Sequence, residues 1–381
     1  MKTENRANRQ HSKITPVECP SCSNIKVVAY HISHAFFSHF DFSEMRQAGD
    51  IGKCRHCGSV FRIVDEENIL EIDRLICSHD YALSGQSEQT IIVDGHNRPA
   101  TRSVVQAELL SPLLKTDDVS ILDIGCFDGR LLVEFAKRKR CQSLHGFDIN
   151  PHVKALFPRG ENFRFSTSDL SLVKERFDLI CISHVLIYIN DLKNFMGAIR
   201  RLLKPDGLVM VQVPDVSKNP CYFLMGDQYH YFTVKTLKDI FNYFGFEFSQ
   251  IGRRYFPREV LGVASTKVQL DEIECDDHEV GDWIKKLDEM AQKVVDVSTT
   301  SRVYVLGTTV NAAFVDSVLG ERLGRFVDEN WARVGKQFRG KDVYHPQALS
   351  ESDVVIIPYG ESGHLIETRF EKNYKGQFVV V

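Results

Sequence analysis

Residues 121–132 read ILDIGCFDGRLL. An apolar strand runs into a turn holding Gly125 and Gly129, and an apolar helix start follows. Such a turn, after the first strand of an open α/β sheet, lies at the carboxyl ends of the strands, where these sheets bind ligands. In loops that cradle a pyrophosphate, a middle glycine lets the backbone close on the phosphates, which rest on the helix N-terminus. Here Phe127 occupies the middle position, and Asp123 would set a carboxylate beside the phosphates. A cofactor with positive charge and no phosphate suits this turn better. S-adenosylmethionine (SAM), with an ammonium, a sulfonium and an adenosine, is such a molecule.

The pattern around the turn sets the fold class. Strands are expected at VSILDIG (119–125), SLHGFDI (143–149), FRFST (163–167), FDLICIS (177–183) and LVMVQVP (208–214). With helices between them, they read as a mostly parallel α/β sheet. One helix, near 190–203, is expected to stop where Pro205 and Gly207 turn the chain into the next strand. Acidic residues recur at strand ends. Asp148 stands 19 residues after Gly129, where a carboxylate can accept from both ribose hydroxyls. Asp169 follows the third strand, within reach of an adenine amino group, and Ser183 and His184 end the fourth, facing the reacting centre. One strand-end Asp is ordinarily a cap or turn residue; three in succession point to a ligand.

Beyond residue 256 a second alternating unit begins. It has a helix near 279–297, strands in RVYVLG (302–307), GRFVDEN (324–330), DVVIIPYG (353–360) and GQFVVV (376–381), and a helix after TTVNAAF (308–314).

The ten cysteines divide by spacing. Cys19 with Cys22 and Cys54 with Cys57 form two pairs early in the chain, and the other six are scattered, several in apolar runs. Two thiolates on each of two tight turns supply the four ligands of a tetrahedral Zn²⁺. Such a closed site is structural, because no coordination position is left for substrate. The gap of 31 residues between the pairs predicts an inserted hairpin or helix, and His31, His34, His39 and His56 stand as alternative ligands. The N-terminus is polar, without the apolar stretch of a secretory signal, and no run approaches the ~18 apolar residues of a membrane span. The expectation is a soluble cytoplasmic protein with reduced cysteines. A net charge of −4, without a basic stripe interleaved with aromatics, argues against nucleic acid and acidic membrane as partners. The run KRKR at 137–140 reads as a solvated helix end.

Residues 119–214, through ILDIGCFDGRLL, GFDIN, STSDL, FDLICISHVLIYIND and IRRLLKPDGLVMVQVPD, resemble a class I SAM-dependent methyltransferase in motif order and spacing. The resemblance implies a Rossmann-like seven-stranded sheet with an antiparallel last strand, and VKTLKDIFNYFGFEF as the helix before the final hairpin. Carried onto this chain, Asp123, Gly125, Cys126, Phe127 and Gly129 form the cofactor loop. Asp148 with Ile149 meets the ribose, Asp169 with Leu170 the adenine, and Ser183 closes the site. Ile187 departs from the acidic residue common there.

The whole chain is similar to the sugar C-methyltransferases that act on nucleotide-linked sugars. The layout this implies is a disordered tail (1–15), a zinc-binding module (16–63), a connector with a helical lead-in (64–118), a SAM-binding methyltransferase domain (119–255) and a small α/β domain (256–381). The implied acceptor is a small molecule, a sugar or sugar nucleotide. The family's Glu-His pair before its YF(S/T) tail is replaced by Asp227 and Gln228 in MGDQYHYFT. His230, two residues on, His184 and Tyr81, in a tyrosine- and serine-rich segment, become the candidate catalytic residues. Without the pair, O- or N-methylation stands beside C-methylation. A methyltransferase acting on RNA or protein, or a SAM-binding protein without activity, is the competing reading.

Overall fold

The computed structural model describes residues 17–79, 90–93, 98–266, 278–297 and 303–381. The expected tail, Cys275 and Tyr81 lie outside them.

The first module is built from β1 (Val27–Ile32), β2 (Phe36–Phe37), β3 (Glu44–Arg46), β4 (Gly49–Cys54) and β5 (Val60–Ile63). Strands β1, β4 and β5 pair antiparallel, and β2 and β3 form the hairpin inserted between the cysteine pairs. Helix Glu66–Ile76 follows, capped by Asp65, whose side chain accepts from the Asn68 amide. The hairpin β6 (Thr90–Val93) and β7 (Arg98–Thr101) leads into helix Arg102–Leu110.

The central strands are β8 (Asp118–Ile124), β9 (Arg140–Phe147), β10 (Phe163–Ser166), β11 (Phe177–Ser183), β12 (Leu203–Pro214), β13 (His230–Tyr231), β14 (Phe246–Ile251) and β15 (Glu259–Thr266). All but β13 form one seven-stranded sheet in the order β10-β9-β8-β11-β12-β15-β14, with β15 antiparallel to β12 and β14. This is the class I methyltransferase fold. Helix Leu192–Leu202 shows why the chain packs this way. Leu192, Met196, Ile199 and Leu202 recur on one face and are buried, and Asp191 caps the first turn by accepting from the Asn194 amide.

Three expectations are corrected. Between β9 and β10, and between β10 and β11, the chain makes 3₁₀ turns (Pro151–Ala155 and Leu170–Leu172) in place of α-helices. Pro205 and Gly207 do not lie in a turn between elements. They sit within β12, where the pairing with β11 shifts register between Phe177 and Leu179. The boundary at 255 would also sever Glu259–Thr266 from its own sheet.

The last unit comprises β16 (Val303–Leu306), β17 (Leu323–Val327), β18 (Gln337–Phe338), β19 (Lys341–Tyr344), β20 (Val354–Ile357) and β21 (Gln377–Val380), in the order β18-β19-β17-β16-β20-β21. Only β18 pairs antiparallel. Helices His278–Val297, Val310–Leu319 and Gly363–Asn373 accompany it.

The units are fused rather than strung together. Strand β13, from the central chain, completes the first module's sheet beside β5. One apolar cluster joins Phe36, Phe37 and Val60 to Phe223 and Tyr231, to Trp283 and Leu287 of the long helix, and to Val310 and Phe314 of the last unit. Among the described residues, no helix is long and apolar enough to cross a membrane.

Candidate active site and metal centre

The parallel strands β8, β9, β10 and β11 end along one edge, and the expected cofactor residues gather there. Gly125 and Gly129 both have φ of +71°, which a side chain adopts only with strain. At Gly125 a β-carbon would come within 2.1 Å of Val185, so the turn is packed directly against the loop after β11. Phe127 itself has φ of +47°. Its amide donates to Asp148 Oδ2 at 3.0 Å, while Oδ1 of the same carboxylate accepts from the Asn150 amide at 2.9 Å. The two amides hold Asp148 in place at the end of β9.

Asp123 is buried. Burial pushes its carboxyl up, and the charges of Asp148 and Asp128 add to the effect. Three acidic side chains gathered around one turn favour a cation as ligand. Burial also raises Asp148, against the pull of its two amide donors. Cys126 is buried beside them, and burial raises its thiol as well. Ile149 is 50% exposed, an apolar side chain left on the ligand edge. Leu170 packs against the core cluster on one face of the sheet. Asp169 is exposed, and both its oxygens accept from Ser171, from the amide at 2.7 Å and from the hydroxyl at 2.6 Å. It therefore also caps the short turn after β10. Ser171 holds its carboxyl below the usual carboxylate range.

At the end of β11 a polar constellation appears that motif reading missed. Ser183 Oγ accepts from Gln106 Nε2 at 2.9 Å, and Gln106 also donates to Gln212 Oε1 at 2.6 Å. His184 has φ of +57°, the left-handed region, with its amide donating to the Gln212 carbonyl at 2.8 Å. Its Nε2 lies 3.1 Å from Glu259 Oε2, and Arg102 donates to the other oxygen at 2.6 Å. Gln212 donates to Glu259 as well. Burial opposes ionisation of Glu259, but His184, Arg102 and Gln212 together hold its carboxyl at about 2. A carboxylate only accepts, so Nε2 of His184 carries the proton and Nδ1 is left as the proton acceptor. Burial, and next the Arg102 charge, lower the imidazole below its usual value, with Glu259 pulling the other way. His184 therefore stands neutral near pH 7. Glu259, Gln212 and Gln106 come from distant stretches, and only the antiparallel pairing of Pro214 with Glu259 brings Glu259 beside Ser183 and His184. No local spacing signals that.

His230 is placed elsewhere. It is wholly buried in β13, with Nδ1 3.3 Å from Ser59 Oγ, and burial lowers its pKa to about 4. A ring with no exposed atom in a sheet joint cannot meet an acceptor, so the base role expected of it does not fit its position.

Cys19, Cys22, Cys54 and Cys57 converge, with all four sulfurs within 4.8 Å of one another. Cys19 and Cys57 are 3.7 Å apart and Cys22 and Cys54 3.6 Å. Four thiolates at ~2.3 Å around one tetrahedral Zn²⁺ would stand about 3.8 Å apart, so the cluster has the dimensions of such a site. Hydrogen bonds from Cys19 draw both Cys22 and Cys54 toward thiolate. The histidines have other partners: His31 pairs with Asp50 and His34 with Asp288, each at 2.8 Å, and His56 packs edge-on to Tyr243. The KRKR run is neutralised locally, Lys137 and Arg138 by Glu134, Lys139 by Asp117 and Arg140 by Asp118.

Residues 96–251 match the family model of a methyltransferase domain. The chain carries a SAM-dependent methyltransferase domain. Solved structures similar to it include the Burkholderia thailandensis 1,6-didemethyltoxoflavin-N1-methyltransferase (18% identity, 55% of this chain and 96% of that one, TM-score 0.39). Others are the glycopeptide N-methyltransferase MtfA complexed with sinefungin (13%, 43% and 94%, TM-score 0.35) and a Mesorhizobium loti SAM-dependent methyltransferase (16%, 40% and 94%, TM-score 0.34). No curated protein matches the sequence. The match by family model spans every expected cofactor residue of this methyltransferase domain and His184, but stops short of Glu259.

Proposed function

We propose that the methyltransferase acts on a hydroxyl-rich small molecule, a sugar or nucleotide-linked sugar, with His184 as the general base. The observation that carries this is the His184–Glu259 pair beside the cofactor turn: a neutral imidazole whose tautomer a half-buried carboxylate fixes. When bound, SAM supplies an electrophilic methyl on its sulfonium. Asp123, Asp148, Ile149 and Asp169 are the residues that hold the cofactor in this reading, with the turn Gly125–Gly129 beneath it. The acceptor's proton would pass to Nδ1 of His184, and Glu259 would stabilise the imidazolium so formed. The step serves an O–H, an N–H or an activated C–H equally. Catalysis beyond proton transfer comes from holding donor and acceptor in line.

The sugar reading draws on two features. Arg102, Ser183 and His184, each partly exposed and held by the buried Gln106 and Gln212 or by Glu259, present donors and acceptors suited to hydroxyls at the reacting end. A cavity of about 780 Å³ between the inserted hairpin (Phe40–Glu44) and the last unit is lined by Thr308, Arg333 and Lys336, groups fitted to a polar, anionic extension of the acceptor. The four thiolates hold a structural Zn²⁺ in this proposal, fixing the two knuckles of the first module.

The test is turnover by the full chain with SAM against a panel of nucleotide sugars and free sugars, read by mass spectrometry of the acceptor, with metal content measured on the same sample. Methylated sugar and one zinc per chain are expected. Methylation confined to RNA or protein in parallel assays would overturn the acceptor class, and a chain with less than a tenth of an equivalent of zinc would overturn the metal.

A further inference from the structure

The inserted hairpin of the first module does more than fill a gap between cysteine pairs. Its strand β2 lies against residues 225–227: Phe37 bridges Met225, and the Gly226 amide donates to the Phe37 carbonyl at 2.6 Å. Two residues on, the amide of His39 donates to Asp227 Oδ2, also at 2.6 Å. Asp227 is buried, and its other oxygen has no partner among the described residues. The same strap is tied to the loop that follows His184, because the Tyr229 amide donates to the Ile187 carbonyl at 2.8 Å. The hairpin is pinned from the far side too. Arg339, in the last unit, donates to the Phe42 carbonyl, pairs with Glu44 at 2.8 Å and lies over the Phe37 ring. His39 is thus fixed by its amide to Asp227, two residues from the one that binds the loop after β11, while its side chain remains exposed.

We infer that His39 is a specificity-determining contact to the methyl acceptor, presented to the active site by the zinc-type module. Its ring nitrogens make no hydrogen bond among the described residues; the ring contact is edge-on to Phe42, with centroids 6.4 Å apart. An exposed imidazole on a doubly clamped hairpin is preorganised and still has both nitrogens to offer a ligand. Proximity to His184 is felt electrostatically, since the His39 charge adds to the forces that lower the His184 imidazole. The groups facing His184 are then Glu259, Arg102 and His39, and the group facing His39 from the strap is Asp227. The cavity lined by the last unit begins at the next residue, Phe40, so an acceptor held by His39 at its reacting end could continue into it. This inference rests on the methyltransferase reading of the His184 site.

The experiment uses the full chain and two readouts. Histidine-labelled protein is titrated by NMR as wild type, as His39→Asn and as the control His31→Asn. Loss of His39 is expected to move the His184 midpoint upward, because a neighbouring cation is removed, and the control is expected to leave it alone. Steady-state kinetics follow on whichever panel sugar the wild type methylates. His39→Asn should raise the acceptor KM about 10-fold, the loss of one hydrogen bond of ordinary to charged strength, with kcat within about twofold and SAM affinity unchanged. An unmoved His184 midpoint overturns the placement. An unchanged acceptor KM, or an equal loss of SAM affinity, overturns the role. A wild type that methylates nothing in the panel sinks the sugar reading, and His39 is then decided by the titration alone.

Discussion

The central and last α/β units begin alike and end differently. Both open with a strand, a glycine at positive φ and a helix, and both place an aspartate at the end of the second strand: Gly125 and Asp148 in one, Gly307 and Asp328 in the other. Their parallel strands even share the order 3-2-1-4-5, with β9-β8-β11 matching β17-β16-β20. In the central unit, among the described residues, Asp148 accepts from two backbone amides, those of Phe127 and Asn150, which leaves lone pairs for a ligand. In the last unit the equivalent positions are occupied from within. Thr308 donates to Asp328 at 3.1 Å, Arg333 lies 3.5 Å from the same carboxylate, and the Tyr359 hydroxyl sits 2.4 Å from where a β-carbon of Gly307 would be. One architecture therefore yields an open turn and a filled one, and side chains rather than topology decide which is left open to a ligand.

The largest expected effect falls on the open unit. His184→Asn should lower kcat by ~10²–10⁴, the range for losing a general base, with SAM affinity by calorimetry unchanged. A pH profile adds a sign. Because the His184 imidazole is lowered, kcat/KM should hold to a pH below the usual histidine value and fall only as pH drops through the depressed pKa. Glu259 raises that pKa, so Glu259→Gln should shift the acid limb to still lower pH and reduce the plateau. A shift toward higher pH would contradict the pairing.

Next in size is the contrast between the two aspartates. Asp148→Ala should weaken SAM binding by about 10- to 100-fold, the loss of hydrogen bonds to a charged group. Asp328→Ala should leave SAM affinity where it was. Equal losses at both positions would show that the last unit takes part in cofactor binding, and no loss at Asp148 would remove the cofactor assignment.

The open unit was also the legible one. Its turn, its strand-end acids and its helix faces are local patterns, each within ten or so residues, so spacing alone placed Asp123, Gly125, Gly129 and Asp148 correctly along one edge. The four cysteines were legible for the same reason, as two short pairs. The acceptor side was not. His184 was marked by its strand end, but Glu259 reaches it across 75 residues through an antiparallel pairing that periodicity does not encode. His230 was misjudged because its neighbours in sequence gave no sign that β13 leaves the central sheet to join the first module. His39 was weighed only as a metal ligand, since nothing near it in sequence foretells an amide bond to Asp227, 188 residues away.

The smallest effect tests whether the second turn is filled as tightly as its geometry implies. Gly307 has φ of +90°, so Gly307→Ala costs backbone strain of about 1–2 kcal/mol wherever its methyl points. Here the methyl would also meet the Tyr359 hydroxyl at 2.4 Å, whereas the ring carbon behind it is 3.6 Å away, an ordinary contact. Removing only the hydroxyl should therefore relieve the clash and leave the strain. In a double-mutant cycle by thermal or urea unfolding, Gly307→Ala should destabilise more in the wild-type background than in Tyr359→Phe, by roughly 1 kcal/mol of coupling between contacting residues. Strict additivity would mean that Tyr359 swings clear of the turn. The filled state would then be a movable one, and the distinction between the two units would be one of occupancy rather than of build.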